Sequence, residues 1–224
     1  MQLLRPFANS EFVQAACERF DRENEVVESA LAELFDLFPL NNRASRVLLK
    51  ATALNRLYSA GVLAVGKVAD HIYQNRDQID AALTGGSPSV VEKIARVTIK
   101  GKEYNFYSFA TKYCNWHKPE SYPIYDSLVE KYIHRLQKRD NFSSSFRRLD
   151  DLYSYEAFLR IMNEFRESYE LSEFTFKQLD KFLWTAGGVA SIEHSGKSLS
   201  EILGMVPNVS PDPGDELPEG WTPQ

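Results

Sequence analysis

Residues 108–129 read Ser-Phe-Ala-Thr-Lys-Tyr-Cys-Asn-Trp-His-Lys-Pro-Glu-Ser-Tyr-Pro-Ile-Tyr-Asp-Ser-Leu-Val. The stretch from Ser108 is helix-like and ends in an aromatic-rich turn. Asp126 follows as an isolated carboxylate just behind Pro123, and Ser127-Leu128-Val129-Glu130 opens a second helix behind it. A carboxylate-bearing turn between two helices thus lies at the centre of the chain.

Outward from it the pattern is mostly helical. Val27, Ala30, Leu31, Leu34 and Phe38 recur at three-to-four spacing until Pro39 stops them. Residues 47–72 are long and apolar, with Gly61 or Gly66 as the point of division. Residues 84–88 form a loop in which Ser87 suits an N-cap and Pro88 a first helical position. Further helices are expected at 127–138, 155–169 and 176–186, the last capped by Thr175 and ended by Gly187-Gly188. Residues 97–104 fit a short hairpin turning at Lys100-Gly101. The expected fold is mostly all-α: one helical domain over 1–205 and a flexible tail over 206–224, which holds five of the ten prolines.

At 224 residues and 43% apolar composition the chain can bury a core without staples. Glu11, Glu18 and Arg19 interrupt any leader-like apolar run, and no apolar run approaches membrane-spanning length, so a soluble, cytoplasmic protein without membrane contact is expected. Cys17 and Cys114 make no disulfide framework, and Cys114-x-x-His117 lacks a second pair for a metal. The net charge is −5, yet residues 93–148 carry 12 Lys and Arg against five Asp and Glu. A basic middle in an acidic chain fits either a polyanion footprint or a solvated surface. The acidic remainder could meet a protein partner.

Hydrolysis of an N-glycosidic bond requires a base turned out of the stack, a carboxylate near the developing sugar cation, and a positioned nucleophile. Ser108 through Lys112 and on to Pro123-Ile124-Tyr125-Asp126 resembles the catalytic half of the helix-hairpin-helix DNA glycosylases, which include endonuclease III and the adenine-mismatch glycosylases. Over Tyr107–Val129 and Leu179–Gly187 the likeness is to prokaryotic proteins with an 8-oxoguanine-glycosylase-like fold. The resemblance implies a two-lobed fold with a nucleic-acid cleft, and a catalytic-like segment over 88–140. Asp126 falls on the family's catalytic aspartate, and Ser108 where bifunctional members carry lysine. A monofunctional glycosylase without cofactor, acting on DNA, is therefore implied. In place of the family's glycine hairpin stands Glu103-Tyr104-Asn105-Phe106-Tyr107, and no four-cysteine cluster follows. That departure favours the alternative, a module of the same fold that binds nucleic acid or protein without catalysis.

Each candidate has two readings. Asp126 is either the catalytic carboxylate or a helix cap. Ser108 is a site residue or a small packing residue. Lys112, one turn on, contacts phosphate, acts as a displaced amine nucleophile, or snorkels at the surface. Trp116, His117 and Tyr125 stack on an extruded base or belong to the core. Lys131 and Arg135, with Lys138 and Arg139, meet phosphates or form a solvated face. Asn55 and Arg56, in an otherwise apolar helix, contact nucleic acid or satisfy internal partners.

Overall fold

Asn9 starts the first helix by accepting a hydrogen bond from Phe12 N at 2.8 Å, and α1 then runs Ser10–Leu37. The structure is a computed structural model and describes residues 8–192, with side chains as far as Gly188. The expected tail over 206–224, and both ends of the expected 1–205 domain, lie outside the described residues. α1 extends further back than its second half suggests, because Val13, Ala16 and Phe20 continue the buried stripe to Leu31 and Phe35.

The long apolar stretch divides at Gly61, whose φ is +71°, into α2 (Ala44–Leu57) and α3 (Val65–Gln74). Asn55 holds the intervening loop, donating to Val62 O and accepting from Val62 N, both at 2.9 Å. α4 (Arg76–Gly85) ends on Gly86 in the left-handed region. Pro88 has helical backbone angles at the start of α5 (Ser89–Ala95), while Ser87 Oγ bonds to Ser89 Oγ. β1 (Arg96–Ile99) and β2 (Lys102–Asn105) pair antiparallel around Lys100 and Gly101. Both turn residues have positive φ, which matches the natural strand twist. The amides of residues 103–105 thus belong to a strand, not to a glycine hairpin.

α6 (Tyr107–His117), α7 (Ser127–Asp140), a 3-10 turn (Leu149–Tyr153), α8 (Tyr155–Ser168) and α9 (Phe176–Ile192) follow. The expectation that Gly187-Gly188 end the last helix is corrected, since α9 continues through them. Gly187 is a contact residue: a Cβ there would lie 2.6 Å from Leu128 O in the first turn of α7. α9 packs on both α1 and α7, while α2 packs on α3 and α5 on α6. One continuous core joins both groups, and among the described residues the body is helical apart from one hairpin. Among the described residues no helix is long and apolar enough to cross a membrane.

Candidate functional site

Side chains of α6 and α8 fix the turn that carries Asp126. Thr111 Oγ1 accepts from Tyr125 N at 3.1 Å, and Asn115 Nδ2 donates to Tyr122 O at 2.7 Å. The buried Tyr155 hydroxyl donates to Pro123 O at 3.0 Å. Each such bond contributes about 1 kcal/mol net, and together they leave the turn little freedom. Asp126 then caps α7, its Oδ1 accepting from Leu128 N at 2.9 Å and Val129 N at 3.0 Å. Its Oδ2 points elsewhere, 3.9 Å from Lys112 Nζ. Both side chains are nearly enclosed, Lys112 at 6% and Asp126 at 15% exposure. The amine has one long hydrogen bond, to Tyr58 O at 3.4 Å.

Two adjoining cavities meet at this pair. One, of about 140 Å³, reaches between α1 and α9 to Phe20, Glu28 and Asp180. The other, of about 410 Å³, extends past Ser108 and Tyr125. Tyr58, Ser59, Lys112, Asp126 and Trp184 line both, so they form one cleft. The deeper part has room for roughly five waters. Phe20 and Trp184 meet edge to face there, with centroids 5.6 Å apart.

Polar groups converge on the cleft wall. Lys177 Nζ bridges Glu28 Oε2 and the Tyr58 hydroxyl, each at 3.0 Å, and lies 3.9 Å over the Trp116 ring. The Tyr58 hydroxyl donates to Glu28, and burial followed by the Glu28 charge pushes its pKa well up. Asp180 is buried, and its carboxyl is raised to about 7. Burial is the main cause. The Lys177 charge opposes it, Asp126 adds to it, and Lys112 and Glu28 act more weakly in opposite senses. The cleft therefore combines a carboxylate with one oxygen uncommitted to the fold, an amine, and a second carboxyl that titrates near neutrality. That set can stabilise a cation, attack an electrophilic carbon and move a proton. Among the described residues no group of three or more His, Cys, Asp or Glu is arranged to hold a metal ion.

Of the residues singled out in the sequence, Asp126, Lys112, Ser108 and Tyr125 come together in the cleft. Tyr125 is buried and its hydroxyl donates to Glu130. Trp116 stands behind Tyr58, with centroids 6.0 Å apart, rather than lining the cleft. His117 turns away, its Nε2 3.1 Å from the amine of Lys50. Burial, aided by the Lys50 charge, lowers its pKa to about 3, so the ring is neutral. Asn55 is engaged by Val62, and Arg56 is exposed on α2. Lys131 and Arg135 lie on the exposed face of α7, beginning one turn beyond Asp126. Glu28, Tyr58, Lys177, Asp180 and Trp184 were not singled out. Asp180 does carry a signal: it is the one acid on a helix face that otherwise reads Phe176, Leu179, Leu183 and Ala186, all buried.

The HI_0787_N family, described as an N-terminal domain, matches residues 12–121. That span carries Glu28, Tyr58, Ser108 and Lys112 and ends before Asp126. An uncharacterized protein of Haemophilus influenzae is 41% identical over 133 residues, which is 59% of this chain and 62% of the relative. The chain thus spans about three fifths of that relative's length. No solved structure matches the chain. The similarity to the HI_0787_N family accordingly covers one wall of the cleft, and α7 and α9 supply the other.

Proposed function

We propose that the Asp126–Lys112 cleft releases a damaged or modified base from DNA by hydrolysing its N-glycosidic bond. The observation that carries this reading is the divided role of Asp126: Oδ1 holds two helix amides, while Oδ2 faces Lys112 and the cleft. A base turned out of the stack would enter between Tyr58 and Trp184. As the bond to the sugar breaks, its electron pair leaves with the base and positive charge grows on the sugar ring. The Asp126 carboxylate stabilises that charge and orients water toward C1′. Water adds there and gives up a proton, and the departing base takes one up. Asp180, titrating near neutrality, is the group suited to supply it. The basic stretch over 93–148 favours a polyanionic substrate. The free thiols of Cys17 and Cys114 fit the reducing cytoplasm.

A second reading rests on Lys112, an enclosed amine bordering both cavities. If its Nζ, and not water, attacks C1′, the product is a Schiff base that leads to strand cleavage. The test is base release from oligonucleotides bearing a panel of damaged, mismatched and modified bases, with gel analysis before and after alkali. Asp126→Asn keeps an acceptor for the helix amides, so the cap survives while the charge is lost. It is expected to lower release by about 10²–10⁴-fold, and full activity in that variant refutes the mechanism. Breaks before alkali, with borohydride trapping lost in Lys112→Gln, select the amine. Binding without release across the panel selects a non-catalytic module.

A further inference from the structure

The far end of α7 holds a second concave feature. Residues 141–149 fold into a cup of about 510 Å³ against the helix. Three side chains from outside or beside the loop hold it in shape. Gln137 Nε2 donates to Ser143 O at 2.8 Å and to Phe146 O at 2.9 Å, and its Oε1 accepts from Ser143 N at 3.0 Å. Glu164 accepts from Ser145 N at 3.2 Å and from the Ser145 hydroxyl. Asp151 Oδ2 accepts from Arg147 N at 2.8 Å and Arg148 N at 2.7 Å, which anchors the backbone of both arginines.

The charge inside the cup has one sign. Lys138, Arg147 and Arg148 line it beside His134, and among the described residues no Asp or Glu does. Neighbouring carboxylates are engaged elsewhere: Asp151 and Glu164 on loop amides, and Asp140 with Arg139 at 2.5 Å and the Tyr169 hydroxyl. Exposed Asp150 stands outside the lining. The partial negative charge at the C-terminus of α7 is opposed by Lys138 and Arg139 in its last turn. Lys131, Arg135 and Lys138 share one face of α7 at four- and three-residue spacing, so the cationic row leads from Asp126 into the cup. A helix of 14 residues is about 21 Å long, or about six base-pair rises. The large exposed aliphatic residues Val26, Leu37, Leu40, Leu48, Leu49, Leu57 and Leu63 belong to α1, α2 and the loops beside α2, and neither they nor exposed Tyr104, Tyr153 and Trp184 line the cup. The cup therefore lacks the apolar flank by which a helix enters a lipid surface.

We propose that Lys138, Arg147 and Arg148 form a phosphodiester site that holds the backbone of a nucleic-acid strand laid along the Lys131–Lys138 face of α7. The two guanidinium forks suit the paired oxygens of a phosphate, and the fixed loop removes the entropy of ordering them. The site stands whether or not the cleft performs hydrolysis.

The experiment is fluorescence anisotropy with a labelled duplex of about 20 base pairs, titrated between about 50 and 200 mM salt. Asp126→Asn serves as the parent, so that no turnover intervenes. Adding Lys138→Gln, Arg147→Gln and Arg148→Gln together is expected to weaken binding at least about 10-fold and to reduce the salt slope by about 2 to 3. Arg160→Gln on α8 should leave both unchanged. The substituted side chains are exposed, and an unaltered melting curve shows that the fold is intact. An unchanged slope in the triple variant overturns the site. Equal loss of binding to polyglutamate or to phosphatidylglycerol vesicles overturns its assignment to nucleic acid. Because the comparison reads binding on the release-impaired Asp126→Asn parent, failure here and failure of the cleft reading are separable.

Discussion

Two lysines are buried against α6, and they differ in what surrounds the amine. Lys50, on α2, is fully enclosed and donates to Phe38 O at 2.9 Å, Asn41 Oδ1 at 3.0 Å and Leu40 O at 3.4 Å, with neutral His117 Nε2 at 3.1 Å. Asn41 is itself held by Asp80 and by the Tyr113 hydroxyl. Lys112, on α6 itself, has one long hydrogen bond, a carboxylate at 3.9 Å and a cavity in front of it. Burial pushes the Lys50 amine down to about 7, partly opposed by Asp80. A buried amine surrounded by acceptors fastens chain segments together. One that keeps unfilled donors toward a cavity can serve a ligand.

That contrast can be broken most sharply by removing each amine in turn. Lys50→Met removes the donor to Phe38 O, Leu40 O and Asn41 Oδ1, the last of which keeps only the Tyr113 hydroxyl, and is expected to cost about 3 kcal/mol. Lys112→Met is expected to cost about 1 kcal/mol and, on the reading in which its amine attacks C1′, to lose base release. Urea denaturation alongside the release assay reads both, and equal destabilisation removes the distinction. A smaller effect comes from Asp180, whose carboxyl titrates near 7 in the folded chain and near 3.8 unfolded. Its protonated form stabilises the fold below pH about 4, and that stability is lost as pH rises through 7. Wild type is therefore expected to lose on the order of 2 kcal/mol more than Asp180→Asn between about pH 5 and 8. Comparing the two variants cancels the opposite-signed contribution of Lys50. The smallest effect is at Asn55, whose side-chain amide is engaged at both ends by Val62. Asn55→Ala should cost about 1 kcal/mol and speed amide exchange at Val62, with α3 unaffected.

The fold was legible where a signal is local. Helix periodicity, the Lys100-Gly101 turn and the capping carboxylate at Asp126 all lie within a few residues of the structure they determine. Gly187 was misread because a glycine that stops a helix and one that admits a neighbouring backbone look alike until the neighbour is known. The site divides along the same line. Ser108, Lys112 and Asp126 belong to one short segment and were found together. Glu28 and Asp180 sit in amphipathic helices where most acids face water, and only the packing of α1 on α9 encloses them. Trp116 and His117 are close in sequence to the catalytic candidates, yet the helical repeat turns them toward Tyr58 and Lys50.

The contact at Gly187 has a consequence for genetics. Leu128, whose carbonyl it abuts, also donates its amide to Asp126 Oδ1. Any side chain at position 187 must push α9 and α7 apart, and with them the carboxyls of Asp180 and Asp126. A loss-of-function screen would therefore return position 187 beside the cleft residues, although a glycine there can offer a ligand nothing but its backbone. Its phenotype would be one of spacing, and shortening the Leu128 side chain would not recover it, because the atoms in the way are the Leu128 carbonyl and Cβ.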